Sequence, residues 1–316
     1  MSNVIRFPKN IFDPTPFVLN NYEYKLYRAN FRSISDLYQY LKSNPDINSS
    51  VFPRLASERE DSDFAGEPYE AAVESLVKPV KAEFKDFLKL QSKLDSQSLD
   101  YVTEYVTTKS AAGSVIDIPS YVSGSPLCYI SEKEVYEPKF VRMNVLLSYY
   151  SGTTKDQVVN RAIITTSLIN ALEKEGYIVD INAFSLAEEG KELLNVNVNL
   201  KNSNDTLNKA NLIKSLCYVE FLRRIIFRVR ETVPVKDYEW GDGYGRTCDE
   251  RKVRAVLRLR DDDLLIDQPR EMGVRGRSLI GDFESAIESL KLENKIDVKA
   301  SKKELETEVK RMSLRR

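Results

Sequence analysis

Histidine is absent from all 316 residues. That absence excludes Ser-His-Asp and Cys-His catalysis and every His-ligated zinc or iron site. It also removes the side chain that most often moves protons near neutral pH. Acid–base work would fall to carboxylates, Lys, Tyr or Cys with displaced pKa values. Cysteine is scarce, with Cys128, Cys217 and Cys248 far apart and without CxxC spacing. An odd, scattered set argues against a disulfide framework or zinc knuckle and fits a reducing cytosol. No apolar run is long enough to span a bilayer, and Met1 is not followed by the basic segment and apolar core of a signal peptide. Charge of one sign is missing too: 47 Lys+Arg stand against 48 Asp+Glu, for a net charge of −1. Any nucleic acid or acidic surface would therefore need a local patch.

What is present suits a soluble globular protein. A hydrophobic fraction of 42% beside a charged fraction of 30% supplies a real core, and the length allows one large domain or two ordinary ones. Three regions are expected: a mainly helical N-terminal region with an extended arm (1–114), an α/β domain (115–292), and a charged C-terminal helix or tail (293–316). In the first, residues 1–20 read as an arm with at most a short strand. Tyr22–Phe31 reads as a strand, and Ser33 or Ser35 caps a short helix through Leu41. Asn44–Gly66 is a long polar loop. Helical patterns follow over Glu67–Val77 and Val80–Leu94, then a strand at Tyr101–Thr107.

The α/β half is clearer. Phe140–Leu147 is a short apolar strand. Thr154 or Asp156 caps a helix over Lys155–Lys174 that ends at Gly176 and is buried on much of its circumference. Tyr177–Phe184 alternates as a strand. Leu194–Leu200 alternates more strictly, with Leu194, Val196, Val198 and Leu200 inward and Asn195, Asn197 and Asn199 toward water. That pattern predicts a half-exposed antiparallel edge strand, joined to its predecessor through Ser185–Gly190. A long helix, broken once, covers Leu207–Glu231. Asp249–Leu259 favours helix over strand because Asp249 and Glu250 suit a first turn. Leu264–Ile266 is a short strand, and Ser278–Leu292 and Lys302–Met312 are amphipathic helices.

Chemistry concentrates at two places. The turn Ser148–Thr154 follows a strand's C-terminal end, where ligands sit in open α/β sheets, so Ser148, Ser151 and Thr153 are candidate binding residues, with Asp267 at the end of the last strand. Arg223, Arg224, Arg228 and Arg254 are candidate phosphate contacts. Flanking acids make a solvated helix face with local ion pairs the blander reading of the same arginines. Gly241–Gly245 lacks the Lys-Ser/Thr of a phosphate loop and reads as a turn anchored by Trp240 and Tyr244.

The order strand, serine turn, helix, strand, antiparallel strand, helix resembles a von Willebrand factor A-type domain. In that family the first turn carries Asp-x-Ser-x-Ser and binds a divalent cation. Here no Asp precedes Ser148, Ser151 and Thr153, and Asp267 matches only the family's later Asp, so no metal is expected. Gly113–Pro126 (GSVIDIPSYVSGSP), Ser148–Phe184 and Trp240–Arg246 together resemble a family of uncharacterised proteins of tailed phages and mobile elements. The resemblance implies a viral or mobile-element origin and brings no catalytic residues.

The sequence thus predicts an α/β protein, with a von Willebrand A-like or Rossmann-like sheet in the C-terminal half and a mainly helical N-terminal half. The expected function is a non-enzymatic protein-binding or assembly factor of a phage or mobile element, with the sheet-top turn as its contact surface. It would act in the host cytoplasm or on the virion, with no cofactor and no membrane partner. The alternatives are a nucleic-acid-associated protein using the arginine clusters, binding weakly at most, and a metal-dependent enzyme. The oligomeric state is not readable from the sequence.

Overall fold

A proline lacks the N–H that a central strand must donate, and the first strand of the computed structural model carries two. This strand, β1 (Asp13–Leu19), holds Pro14 and Pro16 and lies at the edge of a six-stranded sheet. Asn20 and Asn21, both at positive φ, turn it into β2 (Tyr22–Phe31), its antiparallel neighbour. The structure describes residues 12–43, 45–52, 54–59, 65–84, 104–113, 115–135, 139–203, 205–234, 248–269, 284, 287–288, 292 and 296–313.

The chain continues through α1 (Ile34–Lys42), whose first turn donates from the Asp36 N–H to the Ser33 hydroxyl, and α2 (Tyr69–Ser75). A separate three-stranded sheet follows: β3 (Glu104–Ser110), β4 (Val115–Ile116), the short helix α3 (Ile118–Val122) and β5 (Tyr129–Val135), in the order β3-β5-β4. The main sheet resumes with β6 (Lys139–Leu146). The helix α4 (Lys155–Lys174) starts in a capping box between Thr154 and Gln157, and Gly176 at φ +77 turns the chain out of it. Next come β7 (Tyr177–Glu189) and β8 (Glu192–Lys201), then α5 (Lys209–Cys217). The extended backbone of Tyr218 breaks the expected long helix once. A π-helix (Phe221–Ile226) and α6 (Phe227–Arg230) complete it. The helix α7 (Glu250–Leu257), the strand β9 (Leu264–Ile266) and α8 (Val298–Ser313) finish the described chain. Among the described residues no helix is long and apolar enough to cross a membrane.

The main sheet runs β1-β2-β8-β7-β6-β9. One face builds the large core: Val141, Met143 and Val145 of β6, Val179 and Ile181 of β7, and Val196 and Val198 of β8 pack with α1, α4, α5 and the 221–230 helices. The other face is smaller. There Leu26, Leu146, Phe184, Leu186 and Leu193 meet Val253 and Val256 of α7. Burial from Val158 to Leu172 shows that α4 is enclosed on much of its circumference, as its two apolar stripes require.

Several expectations are corrected. The strand β8 is not an edge: β2, about 170 residues earlier, pairs with it in parallel from Lys25↔Glu192 to Phe31↔Val198. Its asparagines are therefore not simply solvated. Asn195 is buried, and Asn197 and Asn199 are half-buried. A row of amides crosses four strands instead. Asn197 donates to Asn30 (3.2 Å), and Asn182 donates to Asn197 (3.2 Å) and Asn144 (3.3 Å). The β7–β8 hairpin turns through Gly190 and Lys191 alone, because both strands run longer than the six-residue connector suggested.

Among the described residues the N-terminal region is not mainly helical, since it supplies two strands of the main sheet and β3. The 114/115 boundary falls inside the three-stranded sheet. The C-terminal segment is docked at its start. Ile296 and Leu305 are buried, and the Asp297 N–H donates to Glu175 just beyond α4. The Val80–Leu94 helix appears only as a 3-10 turn, Ala82–Phe84, and its remainder lies outside the described residues. Most of Ser278–Leu292 and all of Trp240–Gly245 also lie outside them.

Candidate functional site

Within β8-β7-β6-β9 the strands follow one another third, second, first, fourth in chain order, so the chain leaves β6 to one side and returns on the other. The carboxyl ends of β6 and β9 flank that reversal, where crevices form in open α/β sheets. Ser148 and Asp267 arrive there, as the sequence placed them. The crevice itself is filled. Ser148 is fully buried, its hydroxyl 2.6 Å from that of Ser185 on β7. Arg230 reaches down from α6 to both, at 3.3 Å from Ser148. Tyr149 is buried under the guanidinium of Arg223, 4.9 Å from the ring centroid, and Arg223 also donates to the Tyr150 carbonyl at 3.1 Å.

Arg161 of α4 donates to the Leu146 carbonyl from complete burial. Burial pulls its pKa down to about 10, opposed by Tyr149 and Asp267, so it stays charged at neutral pH. Asp267 is half-buried, and its Oδ1 accepts the Gln268 N–H at 2.7 Å. Of the expected binding residues, Ser151 is exposed, Thr153 half-buried and Ser148 sealed. The contact surface expected at this turn is thus reduced to its outer half, Tyr150–Gly152.

The arginines overturn the solvated-face expectation. Arg223, Arg224, Arg228 and Arg230 expose no more than 5% each. Arg224 is a carbonyl clamp: its guanidinium donates to Glu67 (2.9 Å), Ser57 (3.1 Å), Gly66 (3.4 Å) and Arg59. Arg228 pairs with Glu58 and lies 4.2 Å over the Tyr69 ring. Glu231 accepts from the Ser57 N–H (3.0 Å) and hydroxyl. Burial pushes the Glu231 carboxyl up while Ser57 and Arg228 pull it back. A polar loop without a ladder of its own needs donors for its carbonyls, and Arg224 supplies them. Arg254 follows the blander reading, with a local ion pair to Glu250 (2.8 Å), while nearby Lys252 pairs with Glu188 of β7.

Sequence reasoning missed a cleft of about 730 Å³ beside the start of α4, lined by Glu67, Lys81, Phe84, Lys155, Tyr218 and Glu220 among others. Lys81 is held by Glu220 (2.5 Å) and Glu67 (3.4 Å), and its N–H donates to the Tyr218 hydroxyl (2.7 Å). Gly66 sits at positive φ against Glu220, where an added Cβ would lie 2.6 Å from Oε2. The Lys81 charge is thus cancelled within the cleft wall. Cys217 also lines it, but burial pushes that thiol up to about 12, and Cys248 likewise to about 12. Neither is a nucleophile near neutral pH. Titration with a thiol reagent at pH 8 is expected to leave Cys217 and Cys248 unmodified in the folded chain and to modify all three cysteines after denaturation. Rapid native labelling of Cys217 would contradict its burial.

The other unusual surface belongs to the small sheet, where α3 is inside out. Its hydroxyl residue, Ser120, is buried, donates to Asp117 and accepts from Lys109 at 2.6 Å. Its apolar residues face solvent: Ile118 is 69% exposed, Tyr121 63% and Val122 78%. Val115, Ile116 and Leu127 extend the face, each about half exposed. The sequence signal lay in Val115–Pro119, inside the Gly113–Pro126 segment.

The family described as a domain of unknown function (DUF7192) matches residues 11–293. No curated protein and no solved structure matches.

Proposed function

We propose a function for a chain that belongs to the DUF7192 family: it is a non-enzymatic protein-binding or assembly factor that docks through the apolar face of residues 115–127. The inside-out helix α3 carries this reading. Single exposed apolar residues are ordinary, but six within thirteen positions are a concentration, and concentrations of exposed apolar side chains mark contact surfaces. The segment is not loose coil. The Asp117 N–H donates to the Cys128 carbonyl at 2.8 Å, and Asp117 pairs with Lys109 at 2.5 Å. The polar interior of this unit therefore holds the apolar residues outward.

The phage or mobile-element setting, and with it the host cytoplasm or virion, is supported by the resemblance of Gly113–Pro126 and Ser148–Phe184. The order β8-β7-β6-β9, with a parallel β6–α4–β7 unit and a reversed β8, supports a von Willebrand A-like or Rossmann-like relationship for that part of the sheet.

Affinity purification tests the function. The tagged full chain is expressed beside an untagged copy in its host, and retained proteins are quantified for the wild type and for Val122→Asp with Ile118→Asp. At least one protein, the untagged copy included, is expected to be lost from the variant and to bind again when both purified components are mixed. Identical retention by wild type and variant refutes the reading.

A further inference from the structure

We infer that the occupant of the 115–127 surface is a second copy of this chain, docked edge to edge across a two-fold axis beside β4. The inference rests on the protein-binding reading and adds the partner. Charge is the first argument. From Ser110 to Ser131 the only ionisable acid or base with a full charge is Asp117, in a chain whose overall charged fraction is 30%. Its partner is already in place, since Lys109 stands 2.5 Å away. A two-fold contact sets each residue of a patch near the same patch on the other copy, so any unbalanced charge would face its like. This face has almost none to oppose, and it offers a charged partner nothing to recognise.

The backbone supplies the second argument. The order β3-β5-β4 puts β4 at one border and β3 at the other, and among the described residues no strand lies beyond β4. Val115 and Ile116 pair inward with Ile130 and Tyr129, so the other side of β4 can take one more strand. A two-fold axis beside β4 joins it antiparallel to its own copy and makes one six-stranded sheet from two of three. The exposed residues of α3 follow β4 directly and close over the junction.

Area agrees. Six large apolar side chains, from 46% to 78% exposed, offer on the order of 600 Å² per copy, close to the roughly 800 Å² per partner of a standard interface.

Sedimentation velocity on the full chain tests this. The wild type is expected to sediment at twice the 36.3 kDa chain mass and the Tyr121→Asp, Val122→Asp double variant at the single-chain mass. The two melting curves should agree once extrapolated to low concentration, because both side chains are mostly exposed. In a Cys128→Ser background, Ile116→Cys is expected to oxidise to a species of twice the mass. A wild type that stays monomeric, while the face variants still lose a captured protein, overturns the second-copy inference and keeps the protein-binding reading. A monomer whose variants change no capture overturns both. A dimer that survives the double variant places its interface elsewhere and also overturns the inference.

Discussion

Val198→Asp is expected to cost more than about 4 kcal/mol and to leave little folded chain at ambient temperature, because it buries a carboxylate with no partner. Val198 is fully buried in the large core, in a strand with neighbours on both sides. The adjacent Asn197→Asp is the control. Asn197 points to the opposite face, half-buried in the amide row, where aspartate keeps the bond from Asn182 and loses the one to Asn30. Its cost is expected near 1 kcal/mol, that of one exchanged hydrogen bond. Urea titrations followed by circular dichroism compare the two. Equal losses would show that the faces of β8 are assigned the wrong way round.

Arg224→Ala is the second large effect, at about 3–5 kcal/mol, because it strips four main-chain carbonyls of a donor and leaves a cavity in place of a guanidinium. Arg224→Lys is expected to recover little, since one ammonium cannot span acceptors fixed by a planar fork. The loss should be local before it is global. Trypsin cleavage after Arg59, whose carbonyl Arg224 holds, is expected to accelerate well below the urea midpoint. A variant within about 1 kcal/mol of wild type, with unchanged cleavage, would mean that the clamp does not hold the loop.

Elements written in a few neighbouring residues were legible. Thr154, one of the two caps offered by the sequence, starts α4 and Gly176 ends it, and both bounds stand where the sequence put them. The strand β9 and the helix α7 with its Asp249 cap were equally local. What failed depended on distant partners. The alternation of β8 shows a strand with one strongly apolar face, but nothing in it reveals that β2 will arrive from the N-terminal region and turn an edge into an interior strand. The arginines failed for the same reason. Charge in a helix suggests water until a loop more than 150 residues earlier is seen to present its carbonyls. At the candidate site the turn was located correctly, yet its covering by Arg223 and Arg230 was invisible. The inside-out helix broke the rule that assigns apolar side chains to the interior, and such local conflicts with the global fold concentrate at functional surfaces.

The two prolines of β1 bear on how many copies can gather. Standing two residues apart, Pro14 and Pro16 put their nitrogens on the same outer side of the strand and remove two donors that an incoming chain would need. The opposite border is β9, only three residues long. The large sheet is thus a poor template at both borders, blocked by proline at one and short at the other. Concentrated chain is therefore not expected to grow into fibres by adding strands to the large sheet.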